Sequence, residues 1–521
     1  MPETSTPTET GSKLQQRASG IARAVRTSQI WKSIFRHGYQ DTPRNRALMV
    51  LSNVFLHLHP VKVRPASLRY RYTWGMGGIS FYLFLLLTAT GVFLMFYYRP
   101  TVEHAYWDMK DLRFVVPFGP LLRNLHRWAA HVMVLFVMFH MASVFYRSAY
   151  KPPREYNWVI GVLLLLITFL LSFTGYLLPW DQLAIWAVTV GTNMAAATPF
   201  LGAEGPFSIV TPETDARFIL LGSKLVGQAG LLRFYVLHCV LLPLVFIIFV
   251  SVHLWRVRKD DFSALPVPPP EERKKGVRPE EWHKAHPEEL DRKVFSWPNL
   301  VSRMFVTALV LTAVLVAWSL LAHAPLEELA NPNKTPNPSK APWYFVGLQE
   351  LLVYFDPWIA GVVLPTLILV GLMAIPYIDK NPRGVGYYNF RDRKFAVGLF
   401  TFGLVFWFTL IFIGYTMRGP GWEIFMPWEP WDHFRAPHSV ALHNLPNWGG
   451  ILLLLAYAGS GLALWKFALQ KFFKRQGLGV IGSGMVIFLM LAMFFVPLKI
   501  ILRNFFAVKY IVSFPGFNLN I

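Results

Sequence analysis

The sequence predicts an all-α polytopic membrane protein: an N-terminal four-helix bundle followed by about five further transmembrane helices. Three observations carry this. Of 521 residues, 54% are hydrophobic and only 15% charged, whereas soluble domains carry about 25% charge. Apolar runs of roughly 20 residues recur, each long enough to cross a hydrocarbon core of about 30 Å as a helix. The basic residues gather in short runs in alternate connections between those stretches.

Along the chain, MPETSTPTET is polar with no apolar core behind it, so it reads as a disordered start and not as a cleavable signal peptide. Leu14 to His37 reads as an amphipathic segment on the membrane surface. Residues 1–62 thus form a cytoplasmic N-terminal segment. Spans are expected at 77–98, 121–146, 157–178 and 232–255, giving a first membrane domain at 63–256. The charged, Pro-containing stretch SALPVPPPEERKKGVRPEEWHKAHPEELDRK follows and marks a cytoplasmic linker, 257–298. Spans at 300–322 and 358–378 fall in a second domain, 299–394, and spans at 395–417, 449–468 and 480–500 form a C-terminal extension, 395–521. Segments 181–231 and 323–357 mix aromatic, apolar and polar residues, as expected of chain lying along the outer membrane surface over a lipid-side pocket.

With the N-terminus inside, nine crossings put the C-terminus outside. On that topology Arg147, Lys151 and Arg154, then Arg256, Arg258 and Lys259, then Lys380, Arg383, Arg391, Arg393 and Lys394, then Lys471, Lys474 and Arg475 all fall inside. A formal charge of +21 is explained by this distribution, and nucleic acid is not the expected partner. The expected location is a bacterial inner membrane, with a periplasmic C-terminus.

A single cysteine, Cys239, excludes an intrachain disulfide, a Cys-rich iron–sulfur site and any CxxCH haem attachment. Histidines supply the alternative. His126 and His140 lie 14 residues apart in the second span, so their imidazoles share a helix face about 21 Å apart along the axis. His238 and His253 are 15 apart in the fourth span, four turns plus about 60°. Two such helices running in the same direction can clamp two stacked metal centres, and haem, which takes two axial imidazoles, is the natural occupant. Hydrogen-bonded core histidines are the bland alternative, which two matched pairs disfavour. His131 is five residues from His126 and about 140° round the helix, so it reads as packing. Gly77 and Gly91 in the first span, and Gly161 and Gly175 in the third, repeat the 14-residue interval, as notches that let a flat macrocycle approach a helix. Ordinary close helix packing is their alternative.

The motifs TGVFLMFYYRPTV, LLRNLHRWAAHVMVL, KPPREYNW and TGYLLPWDQLAIWAV resemble the cytochrome b family of quinol:cytochrome c and quinol:plastocyanin oxidoreductases, from about Val63 to Asp379. The 15-residue interval and the HRW after the first histidine resemble the plastid and cyanobacterial branch. The resemblance implies two non-covalent haems b, with His126 and His238 on the outer one and His140 and His253 on the inner. It implies bifurcated quinol oxidation at an outer site, one electron passing to a Rieske iron–sulfur protein and the other to the outer haem. It further implies a c-type cytochrome subunit and a homodimer within the complex. Arg123 and Arg127 at the outer end and Arg258 at the inner end stand where the family places basic residues near propionates; interfacial snorkelling is the generic alternative.

Three departures stand out. Gly75 replaces the cysteine that tethers an extra inner haem in plastid-type proteins, so no covalent haem is expected. The family's outer-site Pro-Glu-Trp-Tyr reads Ala341, Pro342, Trp343, Tyr344, which removes the usual proton-accepting carboxylate. Both domains share one polypeptide, which runs on past the usual end. Glu350, about two helical turns beyond the vacant position, is the candidate replacement, with a hydrogen-bonded structural Glu as the alternative. Tyr176, Trp186, Trp343 and Tyr344 are expected to line the quinol pocket. His433, His438 and His443, near Trp422, Trp428 and Trp431, read as a docking surface for a partner subunit more than as a metal site. A haem-b anchor of another quinone-linked enzyme, or a transporter with a histidine proton relay, are the competing functions.

Overall fold

In a computed structural model, described over residues 9–34, 39–432, 434 and 441–521, nine helices are long and apolar enough to cross a membrane among the described residues. They are α1 Met76–Met95, α2 Gly119–Tyr146, α3 Glu155–Leu177, α4 Gln228–Asp260, α5 Ser296–Leu321, α6 Ile359–Ile378, α7 Lys394–Met417, α8 Asn447–Arg475 and α9 Val480–Phe506. Each overlaps an expected span. Four hydroxyls inside them are satisfied along the helix: Thr90, Thr168, Ser172 and Thr174 each donate to the carbonyl four residues back, which keeps those polar groups out of lipid. Helix α4 contains a π turn at Leu237–Leu241, just before Pro243, whose missing N–H interrupts the ladder. Another π turn, Ile359–Val363, precedes Pro365 in α6.

Helix α1 packs along α2, α3 along α4, and α5 against α2, while α6 touches α3 and α9. Mid-bundle, Leu83, Phe84, Ala129, Met133 and Phe246 form an apolar layer, with the Phe84 and Phe246 rings stacked 4.2 Å apart. Two of the outer segments are helical where apolar residues allow: Gln182–Ala196 is capped by Asp181, and Trp343–Tyr354 lies against α7.

The charged stretch after α4 does more than separate modules. Lys62–Val63 pairs antiparallel with Val294–Phe295, Trp282 is buried and stacks on His286, and the Tyr387 hydroxyl donates to Glu280. The segment therefore straps the end of the bundle that carries His140 and His253. The four basic connections meet at this same end: Lys151 donates to the Asn381 carbonyl, Arg393 to that of Phe145, and Arg256 to that of Pro153, while Phe473 of the fourth packs edge-on against Phe395. Before α1, helices Glu9–Thr27 and Gln29–Ile34 present Ile21, Val25, Ile30 and Ile34 outward. Phe35, Arg36 and His37 of the amphipathic stretch lie outside the described residues, as do most of the first ten; Glu9 and Thr10 are already helical.

Candidate functional site

The histidines meet in pairs across the bundle. His126 and His238 have ring centres 6.3 Å apart and planes at 77°. Two axial bonds of about 2 Å, plus about 1 Å from each ring nitrogen to its ring centre, span about 6 Å, so one iron fits between them. The remaining nitrogens are held: His126 Nδ1 faces Thr90 Oγ1 at 2.9 Å, and His238 Nδ1 faces the Leu171 carbonyl at 3.0 Å. Such contacts leave the Nε2 atoms to face the gap. Near the other end of the same two helices, His140 lies against Gly77 and His253 against Gly161, and His253 Nδ1 is buried without a hydrogen-bond partner. The donor set in both layers suits a bis-imidazole haem. The π turn explains how unequal spacings align: it absorbs one residue, so the 15-residue interval in α4 is equivalent in phase to the 14-residue interval in α2.

The glycines of the first and third spans each lie beside one of the four imidazoles. A Cβ at Gly175 would stand 2.5 Å from His238 Cε1, at Gly77 3.0 Å from His140 Cε1, at Gly91 3.2 Å from His126 Cε1, and at Gly161 3.6 Å from His253 Cε1. The notches thus seat the imidazole edges of α2 and α4 against α1 and α3. Gly75 has φ +63°, a conformation that disfavours any side chain there, cysteine included.

At the outer end the basic residues are committed to protein groups. Arg123 is buried and donates to the carbonyls of Ala324 and Pro325, both at 2.7 Å. Arg127 stacks over the Tyr176 ring at 4.9 Å, and its Nε points at His131 Nε2 at 3.0 Å. Arg258, at the opposite end, donates to the His57 carbonyl. His131 is more than packing: the Trp343 indole N–H points at its Nδ1, 3.0 Å away, and its ring lies 5.7 Å from that of Tyr344. A neutral imidazole has one lone pair, so His131 accepts from Arg127 or Trp343 but not from both at once.

A cavity of about 880 Å³ opens beside these residues, walled at the outer end by Tyr176, Trp186 and Tyr344. Trp343 stands behind that wall. Trp186 is anchored by its indole N–H to the Lys334 carbonyl at 2.9 Å. Asp181 joins the two outer segments, accepting from Ala184 N at 2.9 Å and Glu327 N at 3.2 Å, and burial pushes its carboxyl above the usual range.

Glu350 requires a correction. It was expected to line the pocket and take quinol protons, but the structure places it outside the cavity wall, fully buried. Arg418 grips its carboxylate through Nη2 at 2.7 Å and Nε at 3.0 Å, and the Tyr354 hydroxyl donates at 2.9 Å. Its lone pairs are taken up inside the protein. Arg418, 68 residues away, was missed because nothing local in the sequence marks it as this partner.

Of the outer-loop histidines, His433 and His438 lie outside the described residues. His443 binds through its backbone to Ala507 and Lys509, and Trp428 and Trp431 are exposed.

Fold and site together define a class: a polytopic helical membrane protein with one apposed imidazole pair, and a second pair of buried histidines further along the same two helices, in its first four spans. The family model for cytochrome b/b6/petB matches residues 61–261, and that for cytochrome b (C-terminal)/b6/petD matches 329–426. The chain is 42% identical over 188 residues to cytochrome b6 of Gracilaria tenuistipitata var. liui and 40% identical over 188 residues to that of Euglena gracilis, covering 36% of this chain and 82% of each relative. A solved structure described as a hyperthermophilic respiratory Complex III matches with a TM-score of 0.53 and 26% identity, over 66% of this chain and 84% of that one. The chain belongs to the cytochrome b/b6 family, carries both family domains on one polypeptide, and is a haem b-binding, multi-pass membrane protein.

Proposed function

We propose that this chain is the di-haem, quinol-oxidising subunit of a bacterial cytochrome bc complex. The observation that carries the reading is the pairing of His126 with His238 at 6.3 Å, with His140 and His253 further along the same two helices, each against a glycine of a neighbouring helix. His126 and His238 hold the outer haem b, and His140 and His253 the inner one. When bound, the two haems supply a one-electron path across the bilayer, fed by quinol that gives its other electron to a Rieske partner. The chain's own part is positional. Tyr176, Trp186 and Tyr344 wall the quinol pocket, while Trp343, His131 and Arg127 back the aromatic face. Arg123, Arg127 and Arg258 add positive charge at the two haem levels.

The domain limits 63–256, 299–394 and 395–521 belong to the same proposal, as do a cytoplasmic N-terminus, a periplasmic C-terminus, a c-type cytochrome partner, docking around Trp428 and Trp431, and a homodimer. Convergence of the four basic connections at one end supports the orientation. The test is gentle solubilisation followed by subunit identification and reduced-minus-oxidised spectra. Two b-type haem components that co-purify with a Rieske protein and a c-type cytochrome are expected. Co-purification with a formate dehydrogenase-like enzyme, or a haem-free chain, would overturn the proposal.

A further inference from the structure

The cavity that begins at Tyr176 and Tyr344 does not stop at a quinol-sized pocket. It continues between α3, α6, α7 and α9 to the end of the bundle that carries His140 and His253, past Leu372, Phe400, Leu489 and Met493. At its far mouth stand Asp379, Lys380, Arg391, Asp392, Arg393 and Lys394. The acids there are already matched: Asp379 by Arg393 at 3.2 Å and Lys151 at 3.5 Å, and Asp392 by Arg383 at 3.4 Å. Among the described residues no carboxylate lies within ion-pair distance of Lys380, Arg391 or Lys394, and all three are exposed. The mouth therefore carries surplus positive charge above an apolar shaft.

We infer that this shaft is the site of one anionic phospholipid, its phosphate held by Lys380, Arg391 and Lys394 and its acyl chains lying between α6, α7 and α9. The shape of the charge argues for this occupant. A basic cluster at the membrane surface between helices attracts anionic headgroups, and the shaft below it offers almost no polar partner to water or to a charged solute. Helix α9, which completes the wall, lies beyond the residues that match the family's C-terminal model, whereas α6 and α7 lie within them. A lipid there has a physical consequence: its chains separate the outer pocket from the charged far mouth, keeping water out of a passage that otherwise joins the two ends of the bundle.

The experiment compares the intact complex with one bearing K380Q, R391Q and K394Q, each placed in nanodiscs with a photoactivatable acyl-chain phosphatidylglycerol or its phosphatidylcholine counterpart. Each surface cation is worth roughly five-fold in headgroup affinity, so the triple variant is expected to bind the anionic probe about 100-fold more weakly. In the wild type the anionic probe labels the 489–493 segment, labelling collapses in the triple variant, and haem content is unchanged. The charge-retaining K380R, R391K and K394R variant keeps the labelling, which separates charge from folding. Equal labelling by both probes, equal labelling in the Gln variant, or quinone as the only molecule cross-linked or retained at that segment would overturn the assignment. None of these outcomes depends on quinol turnover, so they are distinct from failure of the proposed function.

Discussion

Replacing Glu350 by Gln is expected to injure stability before it injures chemistry. The Glu350 side chain is 0% exposed and that of Arg418 8%, with two charge-assisted contacts between them and a third from Tyr354. Breaking one member of a buried ion pair leaves an uncompensated charge and typically costs about 3–5 kcal/mol. Glutamine keeps an acceptor for Tyr354, and Arg418 keeps its bond to the Trp422 carbonyl at 2.8 Å, so the lower end, about 3 kcal/mol, applies. For a cooperative unit this is a fall of roughly 5–10 °C in the unfolding midpoint, measured by tryptophan fluorescence and by retention of the haem absorbance during heating. The double variant Glu350→Leu, Arg418→Met should recover more than half of the loss, because it removes both buried charges together. Quinol oxidation per folded, haem-loaded molecule should change less than about three-fold in Glu350→Gln. Unchanged stability together with quinol oxidation slowed ten-fold or more across a range of pH would refute this reasoning and restore Glu350 as the proton acceptor.

Gly175→Ala places a methyl 2.5 Å from His238 and should abolish the outer haem, whereas Gly161→Ala meets His253 at 3.6 Å, an ordinary contact, and should retain both haems; difference spectra of the two purified variants decide this. Replacing His140 or His253 should remove the inner haem while quinol still reduces the outer one, and equal loss of both spectral components would contradict the pairing. All haem should leave the polypeptide in acid acetone, since no CxxCH is present and Gly75 stands at the tethering position; haem that stays with the chain on a denaturing gel would count against two non-covalent haems. Burial holds the Lys151 ammonium down to about 8 from an ordinary value of 10.5. Between those limits the unfolded chain binds a proton that the folded chain does not, so stability should rise with pH across that window. Lys151→Met should flatten the rise in a thermal unfolding series from pH 7.5 to 10.5, and an unchanged slope would remove Lys151 as its source.

Local, periodic information was legible in the chain. Length and hydropathy place the nine spans found among the described residues because a helix in lipid must satisfy its own backbone and clothe itself in apolar side chains, a requirement met within each of the helices between Met76 and Phe506. The interval from His126 to His140 also reads directly as one helix face. The interval from His238 to His253 reads only approximately, since its phase depends on a π turn that no periodicity counts. What each polar group faces across the bundle was settled by packing. Gly175 seats an imidazole from α4, His131 meets Trp343 from a segment 212 residues later, and Glu350 meets Arg418. Such partners are chosen where the folded chain brings distant segments into a dry interior, in which a buried charge must be matched. The sequence around Glu350 contains the need for a partner and nothing that says which one supplies it.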